Sequence, residues 1–464
     1  MRRIELSPAL RWATAAAALL GSTGCGLVFQ PRPAPPGPPV FEELVRAAPR
    51  PAAATASAEL AASPLSLALL LEQALARNAG LEAARRRWLA AQARPAHQGA
   101  LPDPMVSLKW MIEHVVTRNG PIEQTFMLQQ PIPFPGKLVL SARIAEQEAL
   151  AAWERYMTSG LALIAEVKKA YYELYWVERA IEITGENKRL VEQLLQVAQT
   201  KFAAGQVTQQ DVLKAQIEQA RLANETETLA DLRRAVQARL NRALNRPPAA
   251  PLGRPAAFEA EPIALALEPL LALALEQRPE LREARRAVQA AAQGERLAGL
   301  EYVPDLVAGF EYSVIDRVGL MGTTDDGQDA YGFSFMLRLP IWLGKNAARV
   351  HEAHQQLRAR QLALAQLEHD TRAALADAYY RAQIALRQVQ LYRDNIVPQA
   401  RQALEVSQTA YAAVPARVDF DTVIDNVRRL LGFWLTLERA RADVQQWRAE
   451  LERLVGGVLA ERGR

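Results

Sequence analysis

Few side chains in this sequence have the types and spacing that a chemical reaction or a metal site requires. His351 and His354 lie three residues apart, so on a helix they would share one face and could share a metal ion. Two histidines without a third ligand are more often plain surface residues. The sequence contains no nucleophile beside a base, no phosphate-binding loop and no Cys/His cluster. We therefore expect no enzymatic activity, no cofactor and no bound metal.

Cys25 is the single cysteine of the chain, and its surroundings predict a covalent modification. A charged start is followed by an Ala/Leu-rich stretch of secretory-signal length, too short to span a bilayer as a mature helix. Small residues stand before Cys25, as at a bacterial lipoprotein cleavage site, but Ser22 replaces the usual leucine. We predict lipidation of Cys25, with ordinary signal cleavage as the alternative. One cysteine excludes an internal disulfide.

Long helices must position most of the remaining residues. From Gly136 to Asn245 there is no proline in a chain that has 28, and apolar residues recur every three or four positions. The pattern breaks at Gly205, a residue type that adopts the left-handed conformation ending many helices. At about 1.5 Å per residue, the first arm would be roughly 100 Å long. We predict a helical hairpin here, and a shorter amphipathic helix from about Ser66 to Arg94.

Two segments outside the long helices have a period of two, which predicts β-strands. Leu108 and Trp110 alternate with Ser107 and Lys109, and the turn sequence Arg118-Asn119-Gly120-Pro121 follows them. One apolar face and one polar or small face, with aromatic residues near the ends, is what a membrane barrel strand requires. A soluble sheet with one wet face is the alternative.

The whole order of elements occurs twice. The repeated motifs are Pro102-Asp103 with Pro304-Asp305, Phe126-Met127-Leu128 with Phe335-Met336-Leu337, and Gly136-Lys137 with Gly344-Lys345. The predicted regions are a lipoprotein-type signal peptide at 1–25, a Pro/Ala-rich extended segment at 26–64, a first repeat at 65–250 and a second repeat at 251–464. The strand pairs fall at about 104–132 and 303–341, and the helical hairpins at about 136–245 and 344–456.

Oligomerisation follows if these strands cross a membrane. Four strands cannot close a barrel, and unpaired backbone groups on an open edge cannot sit in lipid. Closed membrane barrels have about eight strands or more, and three copies would supply twelve.

The net charge of +4 is small for 464 residues, so we expect no nucleic-acid partner.

The duplicated order from Ser66 to Val455 resembles the TolC-like outer-membrane efflux proteins. The similarity includes the residues of the first hairpin turn, Phe202, Gly205, Val207, Thr208 and Asp211. The resemblance implies a fold that is mainly α with a small β part. In that fold a homotrimer forms a 12-stranded β-barrel continuous with a 12-helix α-barrel. It also implies a bacterial outer-membrane protein, in contact with outer-membrane lipid, with a long periplasmic extension.

The same resemblance implies two kinds of site at the hairpin tips. The first is contact with a periplasmic adaptor that works with an inner-membrane pump, through Phe202, Gly205, Val207, Thr208, Asp211 and Pro415. The second is a periplasmic aperture, because in the family an acidic ring after the second tip constricts the tunnel and is held shut by neighbouring Tyr and Arg positions. The matching residues here are Tyr411, Arg417, Asp421 and Asp425. The second tip is longer than the first and lacks its glycine.

Asp421 and Asp425 have a second interpretation that needs no aperture. They lie one helical turn apart on the same face, and three copies would place six carboxylates around a narrow opening. However, acidic residues in the first turns of a helix also complement its dipole. Both interpretations stay open from the sequence.

Passive export through a water-filled conduit is the predicted function. The segments at 101–105 and 129–137 are most similar to those of members paired with heavy-metal efflux pumps, which makes metal cations one candidate cargo. A conduit need not bind its cargo, so the sequence leaves the substrate open. One alternative is a lipid-anchored periplasmic adaptor or structural coiled-coil protein, which would have no membrane strands. The other is an outer-membrane conduit of a type I secretion system.

Overall fold

The computed structural model describes residues 59–258, 266–317, 319, 325–413 and 419–459. Cys25, Pro415 and Arg417 lie outside these residues. The described elements, in chain order, are α1 (Leu67–Arg77), α2 (Ala79–Gln98), β1 (Met105–Thr117), β2 (Gly120–Ile132), α3 (Pro135–Ala203), α4 (Gln209–Ala243), α5 (Leu267–Gln277), α6 (Pro279–Gly299), β3 (Asp305–Ile315), β4 (Ala330–Arg338), α7 (Leu343–Leu391), α8 (Val397–Ala413) and α9 (Phe420–Val455). This order confirms the predicted fold class, mainly helical with a small antiparallel sheet.

The chain divides into two compact units, and each draws on both repeats. The first, called the sheet unit, contains Leu89–Leu150 and Arg286–Arg360 and includes all four strands. The second, called the hairpin unit, contains Ala151–Arg285 and the described segment from Gln361 onward, together with residues 59–88. The hairpin unit includes the turn after α3 and both helix ends at the second tip.

The helix expected from Ser66 to Arg94 is two helices, because Asn78 interrupts it. Asn78 has an extended backbone conformation, and its Oδ1 accepts a hydrogen bond from the Leu81 N–H at 3.0 Å. This is an N-cap, which favours the start of a new helix over continuation of the old one. In the second repeat Pro279 occupies the first position of α6, where a missing N–H does no harm.

The sheet has four antiparallel strands in the order β1-β2-β3-β4. Its aromatic and leucine residues share one face, because Leu128 on β2 lies opposite Val106 and Phe310, and Phe310 lies opposite Phe333 on β4. Because side chains alternate along a strand, this register puts the predicted apolar residues of both repeats on the same side. The side chains at the outer strands are exposed, and Phe333 is 75% exposed.

The opposite face of the sheet carries small and polar residues together with Met127, Val307 and Met336. Thr125 lies between Lys109 and Ser313 in the register. The hydroxyl oxygens of Thr125 and Ser313 are 3.1 Å apart and share a hydrogen bond. Gly309 faces Ser334 so closely that an added Cβ would lie 2.3 Å from its hydroxyl oxygen. Small residues therefore let β3 and β4 pack at this point.

The hairpin unit has an apolar core where the long helices pack along one another. Leu174 of α3 and Leu240 of α4 are buried in one cluster with Leu70 of α1. A second cluster, nearer the tips, joins Val191 and Leu222 with Val427 of α9. Apolar residues every three or four positions thus bury one face of each helix.

The first arm of the second hairpin is not one continuous α-helix. A π-helical turn at Tyr392–Ile396 separates α7 from α8. Pro398 follows it, and proline has no N–H to donate to the carbonyl one turn earlier, so the regular ladder cannot continue through it. No described helix contains a stretch long and apolar enough to cross a membrane.

Candidate functional site

The first hairpin tip is closed by a glycine-dependent helix end. After α3 ends, Gly205 has φ +69°, and its N–H donates to the Phe202 carbonyl at 2.9 Å. The Gln206 N–H donates to the Lys201 carbonyl, also at 2.9 Å. These two bonds form the Schellman arrangement, which needs a residue tolerant of left-handed backbone. The predicted role of Gly205 in the turn therefore has a specific backbone reason.

The residues after Gly205 begin the second arm. Thr208 is the N-cap of α4 through its extended backbone, with no side-chain cap bond. Asp211 lies in the first turn, where its charge complements the helix dipole. Val207 packs against the apolar core near the tips, whereas Phe202 is 46% exposed. Among the predicted adaptor-contact residues on this tip, Phe202 is therefore accessible to a partner, whereas Val207 packs inward and stabilises the turn.

Tyr411 is buried near the second tip, at the end of α8. Its side chain is 3% exposed, and its ring packs against Phe420 with the centroids 5.3 Å apart. Within the described part of the chain, its hydroxyl has no hydrogen-bond partner. Burial, together with the negative charges of Asp211 and Asp419, raises the pKa of the Tyr411 hydroxyl to about 12. The hydroxyl therefore stays protonated at neutral pH.

Lys201 connects the first tip to the second. Its Nζ donates to the Tyr411 carbonyl at 2.6 Å and to the Ala412 carbonyl at 3.2 Å. The same ammonium lies 4.7 Å from the centroid of the Tyr411 ring, within cation–π range. A cation at the last carbonyls of α8 also complements the negative end of its dipole. The end of α8 is thus held by a side chain from α3.

Asp421 and Asp425 are both exposed, and each meets a basic side chain. Lys214 Nζ of α4 lies 2.5 Å from Asp421 Oδ2 of α9, so this pair links the two hairpins. The hydrogen bond to Asp421 raises the pKa of the Lys214 ammonium. Asp425 pairs with Arg428 on its own helix at 3.6 Å. The two carboxylates predicted for an aperture therefore have partners within the chain.

Glu218 forms a second link between the same two helices. It is 0% exposed, and it accepts hydrogen bonds at 2.8 Å from Arg221 on α4 and from Arg428 on α9. Burial alone would raise the pKa of its carboxyl, but the bonds from the two guanidinium groups outweigh burial and lower it. A charged Glu218 is therefore held between α4 and α9, about one helical turn from the Lys214–Asp421 pair.

The structure brings Tyr411 and the start of α9 together, and it adds partners that the sequence did not predict. These are Lys201, Lys214, Glu218 and Arg428. The spacings of three residues in Glu218–Arg221 and Asp425–Arg428 were visible as local patterns. The other contacts join residues that are far apart in the chain. Among the described residues, no group of three or more His, Cys, Asp or Glu is placed to hold a metal ion.

Comparison with known proteins decides the family of this chain. The sequence profile described as "Outer membrane efflux protein" matches residues 70–246 and 270–457, well over half of the sequence. The chain belongs to the outer membrane efflux protein family. This family consists of outer-membrane channels rather than enzymes, so the predicted location in the outer membrane and the predicted channel function are confirmed.

Solved structures share the fold of this outer membrane efflux protein. VceC from Vibrio cholerae has a TM-score of 0.70 at 19% identity, over 85% of this chain and 97% of that chain. CmeC from Campylobacter jejuni has a TM-score of 0.72 at 14% identity, over 86% and 87%. MtrE from Neisseria gonorrhoeae, solved in an open state, has a TM-score of 0.69 at 18% identity, over 85% and 89%. Among curated protein sequences, no significant match is found.

Proposed function

We propose that this efflux protein is a passive homotrimeric conduit of a tripartite system. It would carry substrate from a periplasmic adaptor and an inner-membrane pump to the exterior. The observation that carries the proposal is the four-stranded sheet whose apolar face is exposed, in a member of the outer membrane efflux family. An open sheet edge cannot remain unpaired in lipid, so three copies would close one twelve-stranded barrel above a twelve-helix tunnel.

The hairpin tips would form the gated end of this conduit. Tyr411, Arg417, Asp421 and Asp425 are the proposed aperture residues. The Lys214–Asp421 pair and the Glu218 links join the first hairpin to the second, which supports a resting state held by contacts inside each subunit. MtrE is known in an open state, which supports two arrangements of such an end. Opening would require α4 and α9 to separate at the tips.

The adaptor would contact the hairpin tips and stabilise the open arrangement. Phe202, Leu213 and Ile217 are exposed apolar side chains on the first hairpin, which supports a partner surface there. Gly205, Val207, Thr208 and Asp211 shape the same turn, and Pro415 is the proposed contact on the second tip. The carboxylates of Asp421 and Asp425 would favour cations, consistent with metal cations as cargo.

The N-terminal part of the chain, before the first repeat, is the last element of the proposal. Cys25 would carry a lipid that anchors the mature chain in addition to the barrel, after the signal peptide is cleaved immediately before this residue. Residues 26–64 would be an extended segment, followed by the repeats at 65–250 and 251–464. Lipid and barrel make separate contributions to membrane attachment, so they can be tested separately.

Extraction from isolated outer membranes tests the conduit. The mass of the wild-type protein in mild detergent is compared with that of Cys25→Ala. We expect a heat-dissociable trimer in both, and stepwise ionic conductance when either is reconstituted in a planar bilayer. A monomer that washes from the membrane as soon as Cys25 is replaced would contradict the conduit and favour a lipid-anchored periplasmic protein.

A further inference from the structure

The joint between β2 and β3 is closed by an ion pair at its base. Lys137 Nζ at the start of α3 lies 2.8 Å from Asp305 Oδ1 at the start of β3, and it also donates to the Val303 carbonyl at 3.1 Å. The Phe134 N–H donates to the same Asp305 oxygen at 3.0 Å. Only 12% of the Lys137 side chain and 24% of the Asp305 side chain are exposed. This joint connects the first repeat to the second.

The same two motifs occur a second time, without a partner in the described part of the chain. Gly344-Lys345 repeats Gly136-Lys137, and Pro102-Asp103 repeats Pro304-Asp305. Both Lys345 and Asp103 are exposed, and within the described ranges neither takes part in an ion pair. Lys345 follows β4 and Asp103 precedes β1, and these strands are the two edges of the described sheet.

We infer that Lys345 of one subunit pairs with Asp103 of the neighbouring subunit, so that the β4–β1 joint between copies repeats the β2–β3 joint inside the chain. This inference rests on the proposed homotrimer and names the contact that aligns its subunits. The occupant of each edge is therefore a second copy of this chain. Lysine and aspartate that are exposed in one subunit would become a partly buried pair, as Lys137 and Asp305 already are.

The repeated motifs also specify which residues face each other across the joint. Inside the chain, Leu128 lies opposite Phe310, and Phe126 lies opposite Tyr312. In the repeats, Leu337 corresponds to Leu128, and Leu108 corresponds to Phe310 because each lies five residues after the Asp of its Pro-Asp motif. The same pairing between copies places Leu337 opposite Leu108 of the neighbouring subunit. It also places Phe335 opposite Trp110 of that subunit. A shift by one residue would set an apolar face against a polar one, so the pleat excludes it.

The side chains of this transferred register suit each other. Those of Leu108, Trp110, Phe335 and Leu337 are between 53% and 73% exposed in the single chain. All four lie on the face that carries Phe126 and Leu128. Apolar and aromatic pairs across antiparallel strands stabilise a sheet, and the pairing would satisfy the free backbone groups of both edges. The ion pair at the base and the apolar pairs above it therefore select the same neighbour and the same register.

Charge reversal tests the ion pair. Asp103→Lys and Lys345→Asp should each place like charges at all three joints and reduce the trimer-to-monomer ratio in detergent by about tenfold or more. The double variant Asp103→Lys/Lys345→Asp should recover most of the trimer, because it restores opposite charges. Lys345→Arg is the conservative control and should keep the trimer.

Cysteine cross-linking tests the register independently. Leu108→Cys with Leu337→Cys should give subunits covalently linked under oxidising conditions, because directly opposite residues lie within disulfide reach. Leu108→Cys with Tyr331→Cys is the control and should not cross-link, nor should any single variant.

The outcomes separate the two proposals. A wild-type protein that is monomeric in mild detergent would contradict the conduit itself. A wild-type trimer that tolerates both single reversals, or that the double reversal fails to restore, would overturn the Lys345–Asp103 pair. A trimer in which the control pair cross-links and the Leu108/Leu337 pair does not would overturn the register.

Discussion

Tyr411 combines a well-packed ring with a hydroxyl that has no partner in the described part of the chain. A buried hydroxyl without a hydrogen bond destabilises a fold by about 1–3 kcal/mol, so phenylalanine would suit the resting structure better. Lys201 meanwhile holds the backbone of the same residue, so ring and hydroxyl have separable roles.

Tyr411→Phe should change the response of stability to alkaline pH. The pKa of this hydroxyl is about 12 in the folded protein, against about 10 when unfolded. Its contribution to stability is therefore complete below the unfolded value and is lost as pH rises through the folded value. We expect the thermal midpoint of the wild type to fall more steeply than that of Tyr411→Phe from about pH 10 to about pH 12.

Comparison of the two proteins removes the effect of other buried tyrosines. Tyr175, for example, also has a pKa raised to about 12, chiefly by burial and by the negative charge of Glu438. It is present in both proteins and cancels in the difference. Equal slopes in the wild type and Tyr411→Phe would show that the Tyr411 hydroxyl is accessible to water when folded.

Asp421→Asn and Lys214→Gln should both increase the open probability of single channels, because each breaks the same link between α4 and α9. The effect should be modest, since the pair is partly exposed. The double variant should open no more than either single variant. Ion selectivity separates the two changes. Asp421→Asn should lower the preference for cations in reversal-potential measurements, whereas Lys214→Gln should not. An additive double variant would contradict a shared link.

Helix ends determine the irregular features of this fold at the scale of its elements. Asn78 starts a new helix, Gly205 ends α3, and a π-helical turn precedes Pro398. Each is a place where the backbone hydrogen-bond ladder is interrupted and a specific residue type supplies the substitute. Between these points the helices are regular and their apolar faces are buried.

Gly205→Ala and Gly185→Ala should have effects of opposite sign. Neither glycine has a heavy atom within 4 Å of an added Cβ, so crowding is excluded at both positions. Gly205 has φ +69°, and a side chain there should destabilise the protein by about 1 kcal/mol. Gly185 lies inside α3, where alanine should stabilise it by about 1 kcal/mol. Denaturant midpoints measure both, and a stabilising Gly205→Ala would refute the left-handed turn.

The sequence predicted the parts of this fold that depend on period and local chemistry. Strand alternation, the helical hairpins, the duplication and the glycine turn were all visible in it. Asn78 was missed because its cap competes with a helical pattern that continues on both sides. The Lys214–Asp421 and Lys201–Tyr411 contacts could not be predicted, because partners on different helices depend on how those helices pack.

The exposed apolar face of the sheet is the dominant feature at the scale of the whole molecule. Its side chains stand where lipid would be in the proposed trimer, while the opposite face would line the conduit. Neighbouring positions on one strand therefore need different side chains: apolar ones toward lipid and polar or small ones toward water. Side chains alternate between the two faces along each strand, and the register aligns the faces of all four strands.

Phe333→Lys and Met336→Lys should differ in outer-membrane assembly. Phe333 lies opposite Phe310 on the apolar face, and a lysine there should destabilise the inserted barrel by about 2–4 kcal/mol per subunit near the bilayer midplane. Met336 lies on the other face, opposite Val307, where a charge would meet water. The fraction of trimer recovered from outer membranes should fall for Phe333→Lys and change little for Met336→Lys. Equal loss in both would argue against a lipid-facing surface.

The central strand pair has a consequence for how a newly made chain folds. Ile132 pairs with Leu306, and the entire first helical hairpin lies between them in the sequence. Pairing across so long a separation loses much loop-closure entropy, so it forms more slowly than the two local strand hairpins. The first strand hairpin must therefore wait, with its edges open, until the second repeat has been synthesised. During that delay the chain is most prone to aggregate, and a holding chaperone would be of most use.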